Sequence, residues 1–145
     1  MKHLILVAIA TLSLTIVSCG NNNATDETTA HNTPDNGVEV LYFHGKQRCA
    51  GCMAIEQETK NLIDSVYATE VQNGTLLFNI VDIDENEALA DEYQVTWSSL
   101  IVVEREAGEK KEVIDLTDFA FETARSNPDE FKEGLANEIN QRLNN

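Results

Sequence analysis

The segment Gln47–Glu56, QRCAGCMAIE, places two of the chain's three cysteines two residues apart, as Cys49-Ala50-Gly51-Cys52. Three chemistries suit such a pair. The sulfurs can exchange disulfides with a partner, chelate a soft metal ion or trivalent metalloid, or form an inert structural bridge. A bridge across so short a loop removes little chain entropy, so stabilisation alone is a poor use of it. The reactive form of a cysteine is the thiolate, so its neighbours matter. Lys46 and Arg48 flank Cys49, and His44 lies just upstream, in a chain with 10 basic and 25 acidic residues. That local cluster of base is expected to hold the Cys49 thiol below its usual pKa of about 8.5. Cys49 is the expected nucleophile and Cys52 the resolving thiol. In the metal alternative, Cys49 and Cys52 supply two ligands and His44 a third. A closed tetrahedral zinc site needs four, so no resident metal is the first expectation.

These residues need elements to hold them. Val38–His44, VEVLYFH, is β-branched and aromatic and predicts a buried strand. From Ala50 to about Ala68, Ile55, Leu62, Ile63, Val66 and Tyr67 recur at helical spacing among charges and amides, predicting an amphipathic helix. The pair therefore stands where a strand enters a helix. There, unpaired backbone N–H groups and the helix dipole both favour a thiolate.

Asn73–Gly74 marks a turn, and TLLFNIVDI, residues 75–83, a second strand. Asp84, with Glu87 three residues on, suggests a capping box opening a short helix. Leu100–Val103 and KKEVIDL, residues 110–116, read as a hairpin about Ala107–Gly108. Residues 117–125 suggest a short helix, although Phe119 and Phe121 alternate as in a strand. Asn127 and Pro128 open a last helix with Phe131, Leu135, Ile139 and Leu143 along one face. The order predicts one α/β domain from about Val38 to Asn145, a mixed four-stranded sheet flanked by helices. The two βαβ-like segments favour parallel pairing, and the hairpin adds an antiparallel edge.

The N-terminus has a different character. Met1–Lys2–His3 precedes Leu4–Val17, an apolar run spanning about 21 Å as a helix. This falls short of a hydrocarbon core of about 30 Å, so residues 1–18 read as a signal peptide. Ile16–Cys19, IVSC, resembles the bacterial lipobox, which implies that Cys19 is lipidated and becomes the first mature residue. Residues 20–37, GNNNATDETTAHNTPDNG, carry almost no large apolar groups, so residues 19–37 read as a disordered, lipid-anchored tether reaching about 20–25 Å. His31 within it is expected to be solvated. The expected location is the bacterial cell envelope, lipid-anchored to a membrane, with the domain in the periplasm or at the cell surface. Without residues 1–18, 9 basic and 25 acidic residues leave a net charge of −16. Such a chain repels phosphate backbones, so no nucleic acid partner is expected. The acidity reads as a solvated surface, with capture of a basic partner as the alternative.

Across residues 38–143 the chain resembles thioredoxin-like proteins. RCAGC takes the active-site position, and VDIDENEALADEYQV, residues 81–95, resembles that family's next strand and helix. Within them it is more similar to bacterial ArsF-type proteins, the nitrophenyl compound nitroreductase subunit family. It shares their YFHG…RC-x-x-C-x-A-I-E opening, Y-x-V-T-x-S-S-L segment and NPDEF helix start. The resemblance implies thiol–disulfide exchange with a protein disulfide or dithiol partner. It also places Trp97 beside the cysteine loop, as a partner contact or a cover for the sheet, and puts Ser99 where thioredoxins carry a cis-proline. A cis bond before a non-proline costs about 2.5–4 kcal/mol, so a trans bond is expected there. The site would then be more open and offer the Ser98 and Ser99 hydroxyls. Arg48 replaces the family's tryptophan, Phe43 its buried carboxylate, and Ile80 its second-strand lysine. No P-loop, dinucleotide fingerprint or flavin signal is present, so no bound cofactor is expected. Nitroaromatic reduction would need a flavin-bearing partner. The further alternative is a non-catalytic module that docks a partner.

Overall fold

The computed structural model describes residues 31–144. The expected signal peptide, Cys19 and the expected tether up to residue 30 lie outside them. The elements run β1 (Gly37–His44), α1 (Ala50–Val66), α2 (Ala68–Asn73), β2 (Leu76–Asp82), α3 (Glu87–Glu92), β3 (Ser99–Glu106), β4 (Glu109–Asp115), α4 (Thr117–Thr123) and α5 (Pro128–Leu143). They form one α/β domain around a four-stranded mixed sheet of order β2-β1-β3-β4. Among the described residues no helix is long and apolar enough to cross a membrane.

Alternation along β1 gives the sheet two apolar faces. Val38, Val40 and Tyr42 enter a core with α1, α4 and α5, including Ile55, Leu62, Phe131, Leu135 and Ile139. Leu41 and Phe43 enter a smaller core with Val81, Leu89, Ala90 and Val95, covered by α3. Burying a large apolar side chain stabilises by roughly 1.5–3 kcal/mol, so β1, buried on both faces, is the rigid base from which the cysteine loop emerges.

β1 and β2 are parallel, as expected. β3 is antiparallel to β1, so the second βαβ-like segment is not a parallel crossover. The six residues of α3 rise about 9 Å, whereas a seven-residue strand such as β2 is about 23 Å long. α3 does not run the length of the sheet, and β3 starts at the end where β2 stops. The hairpin closes through Ala107 and Gly108, both at positive φ. This is the turn geometry that matches strand twist.

Several helix ends differ from expectation. The long first helix breaks at Tyr67, whose buried hydroxyl bonds the Ala136 carbonyl and Asn140 of α5. Val66, expected on the apolar face, is exposed. Asp84 does not cap: Asn86 is the N-cap of α3, and Asp82 organises the turn by accepting the Asp84 amide. Asn127 is the N-cap of α5, but its side chain donates to Glu130 instead of capping an N–H. Residues 117–123 are helical, so the strand alternative for Phe119 and Phe121 does not hold.

The expected boundary at Val38 falls inside the folded unit. Pro34 is buried. The Asp35 carbonyl accepts from Gly108 N, and Asn36 Oδ1 from Ala107 N. His31 is not merely solvated: its Nε2 lies 2.7 Å from Oε1 of Glu39, a carboxylate with no exposed surface. Glu39 also meets Arg105 Nη2 at 2.8 Å and accepts from Asn79, while Arg105 donates to the Tyr93 hydroxyl. A charge buried in β1 needs such partners, and the pre-domain segment supplies one of them. Gly37, at φ +129, lets this segment enter β1, since a Cβ there would meet the Thr75 carbonyl oxygen at 2.0 Å.

Candidate functional site

The cysteine pair lies at the C-terminal end of central strand β1, on the first turn of α1. Cys49 is the N-cap of α1 in extended geometry, and its sulfur accepts the Cys52 amide at 2.9 Å. The two residues are joined as a disulfide, with Cα atoms 4.9 Å apart. Cys49 is exposed, whereas Cys52 is 5% exposed and faces the core. The first turn of α1 has no acidic residue, although the chain is strongly acidic. The partial positive charge of the helix start therefore faces the Cys49 sulfur without a competing carboxylate.

Tyr42, fully buried on β1, anchors this turn by donating its hydroxyl to the Cys52 carbonyl at 2.7 Å. Burial pushes the Tyr42 phenol pKa up; hydrogen bonding with Ser98 and the nearby Arg48 charge oppose that shift. Arg48 stands 5.9 Å over the Tyr42 ring and pairs with the Glu56 carboxylate. Its guanidinium is thus held by a second turn of α1. Lys46 extends into solvent, with Nζ 3.8 Å from Asp84. Both cations beside Cys49 therefore have carboxylate partners.

His44 Nδ1 lies 3.2 Å from the Gly45 carbonyl, and its ring lines a cavity at the β2 edge with His31, Asn79 and Asp82. Among the described residues no three His, Cys, Asp or Glu form a metal-binding group. The geometry therefore does not bring His44 to the sulfurs as a third ligand, and the pair offers two donors.

Ser98 and Ser99 are buried, and the Ser99 hydroxyl donates to the Trp97 carbonyl, so they do not present open hydroxyls. Among the described residues no peptide bond is cis, so the bond before Ser99 is trans. Trp97 is 56% exposed and stacks on Phe121 of α4, with ring centroids 5.2 Å apart. A Cβ at Gly51 would stand 3.3 Å from the Phe121 ring and 3.8 Å from Cys49 Sγ. The aromatic pair thus abuts the cysteine loop.

Sequence reasoning did not pick out Tyr42, Glu56 and Phe121. Tyr42 read as one aromatic of a buried strand, and Phe121 only as part of a short helix or strand. Glu56 follows Arg48 by two helical turns, a spacing with little signal when Arg48 itself precedes the helix.

The central parallel pair, the antiparallel hairpin and the cysteines at the β1–α1 turn have the architecture expected from the active-site resemblance. The fold is thioredoxin-like. Similar solved structures include Malassezia sympodialis thioredoxin, at 17% identity over 77% of this chain and 79% of that one, with a TM-score of 0.49. An N21Q mutant thioredoxin from Halobacterium salinarum is 22% identical over 75% and 77%, with a TM-score of 0.47. Fasciola hepatica thioredoxin is 16% identical over 74% and 83%, also at 0.47. No family model matches the chain. No curated protein matches it.

Proposed function

We propose that this chain is a thiol–disulfide oxidoreductase working through Cys49 and Cys52. The observation that carries this reading is the asymmetry of the pair: an exposed sulfur capping a helix, bonded to a buried one. In the reducing direction, the Cys49 thiolate attacks one sulfur of a partner disulfide. A mixed disulfide forms, and the partner's other sulfur leaves as a thiolate that takes a proton from solvent. Cys52 then loses its proton and attacks Cys49 Sγ. The intramolecular disulfide forms, and the second partner sulfur leaves. Two electrons pass to the partner, and the reverse sequence oxidises a partner dithiol.

The reading extends to an ArsF-type protein tethered by a lipid on Cys19 in the bacterial cell envelope, with a protein disulfide or dithiol as partner. Its support is the lipobox-like IVSC, the polar residues 20–30, and the shared YFHG, TWSSL and NPDEF segments. Fatty-acid labelling lost in Cys19→Ala tests the anchor.

The exchange reading is tested by incubating reduced protein with a model protein disulfide and counting released thiols. Wild type should turn the substrate over, Cys49→Ser should be inactive, and Cys52→Ser should stall as an isolable mixed disulfide. Equal activity in Cys49→Ser would overturn it.

A further inference from the structure

Against Trp97, whose partner Phe121 borders Gly51 of the cysteine loop, lies a cavity of about 260 Å³ lined by Trp97, Ser99, Asp115, Thr117 and Asp118. It is smaller than the roughly 300–1,000 Å³ of small-molecule sites, a size suited to one side chain of a larger partner. Its apolar wall is the Trp97 indole, held by its stack on Phe121 and left 56% exposed. A large, exposed and rigidly held ring is costly in water and typical of a contact anchor. Its charged wall is Asp115 and Asp118. Among the described residues neither carboxylate forms an ion pair, and Asp115 accepts only the Thr117 amide. Other acids near the loop differ: Glu56 is paired with Arg48, and Asp84 with Lys46.

The geometry points to a docking pocket for a cationic side chain, arginine above all, on the partner segment that presents its cysteine to Cys49. A planar guanidinium stacks on an indole and donates to carboxylates in one pose, which a lysine ammonium does less well. The chain's net charge of −15 also favours approach of a basic segment. The inference deepens the proposed exchange function by naming the partner's chemistry, yet binding at the pocket requires no sulfur chemistry.

The test uses the oxidised full-length chain and short Ala/Ser peptides carrying Arg, Gln or Glu, all without cysteine. Trp97 is the only tryptophan, so its fluorescence reports occupancy. The Arg peptide should bind about tenfold more tightly than the Gln peptide at low salt, and the Glu peptide more weakly still. Asp118→Asn should remove most of that preference. Asp129→Asn, a charge-matched control on α5, should keep it. Equal affinity for Arg and Gln peptides, or a preference untouched by Asp118→Asn, would overturn the proposal. So would equal losses in the Asp118 and Asp129 variants, which would mean unspecific attraction. Arg-selective binding by a chain that exchanges no disulfides would instead overturn the redox reading alone.

Discussion

The backbone amide of Cys52 donates to the sulfur of Cys49 at 2.9 Å, so the helix that carries the buried cysteine is capped by the exposed one. Serine, threonine and aspartate commonly fill this role with oxygen. A sulfur there sits at the positive end of a 17-residue helix. The proposed exchange would draw on this: the bond that starts α1 favours a thiolate at Cys49 once the disulfide is reduced.

Alkylation of the reduced protein should be strongly unequal. Cys49 is exposed and faces the helix start, whereas Cys52 is 5% exposed beneath it. At mildly acidic pH, iodoacetamide should label Cys49 at least roughly tenfold faster than Cys52, as read by peptide mass spectrometry. Equal rates would show that the cap does not activate the sulfur.

Glu56 is the carboxylate partner of Arg48, the residue before Cys49. Their side chains are each 29% exposed, so losing the pair should change stability by less than about 1 kcal/mol. Glu56→Gln should release the guanidinium toward the sulfur and raise Cys49 alkylation severalfold at mildly acidic pH. Arg48→Met should lower it. If both variants react as wild type does, Arg48 is a structural clamp on the loop and no more.

The elements that hold the site were legible where a local pattern has one meaning. VEVLYFH can hardly be other than a buried strand, and the cysteine pair could be placed at its junction with α1. The direction of β3 was not legible, because periodicity does not say on which side of the sheet a chain re-enters. Tyr67 looked like one more apolar helical position, and only its hydroxyl bonds to α5 show why the helix breaks there. Glu39 was hidden among apolar neighbours, and its partner Arg105 lies 66 residues away. The attention of Arg48 to Cys49 followed from adjacency alone, which gives no account of Glu56.

The Glu39–Arg105 pair should dominate the response to core mutation. Both side chains are at least nine-tenths buried. Arg105→Leu leaves the carboxylate with His31 and Asn79 as remaining partners and should cost about 3–5 kcal/mol in urea unfolding. The double variant Glu39→Leu/Arg105→Leu removes the stranded charge and should regain most of that loss. His31→Ala should be milder and should expose residues 31–36 to proteolysis ahead of the rest of the domain. A double variant no better than Arg105→Leu would mean that the shape of the pair, not its charge, holds β1 to β3.

Alkali should unfold the protein and ionise its tyrosines together. The chain has three tyrosines, and all three have pKa values raised above 10.0. Burial is the largest cause in each case, and Tyr93 is pushed up to about 12. A phenol kept neutral by the fold ionises first in the unfolded chain, which then binds fewer protons than the native state. The stabilisation is complete below pH 10 and is lost as pH rises toward about 12. Phenolate absorbance and loss of helical circular dichroism should therefore rise in one coincident step above pH 10. Tyr93→Phe should shift that step to higher pH, since the group with the largest raise no longer drives it. Phenolate appearing gradually around pH 10 with the helical signal intact would place the rings in solvent, contrary to their packing.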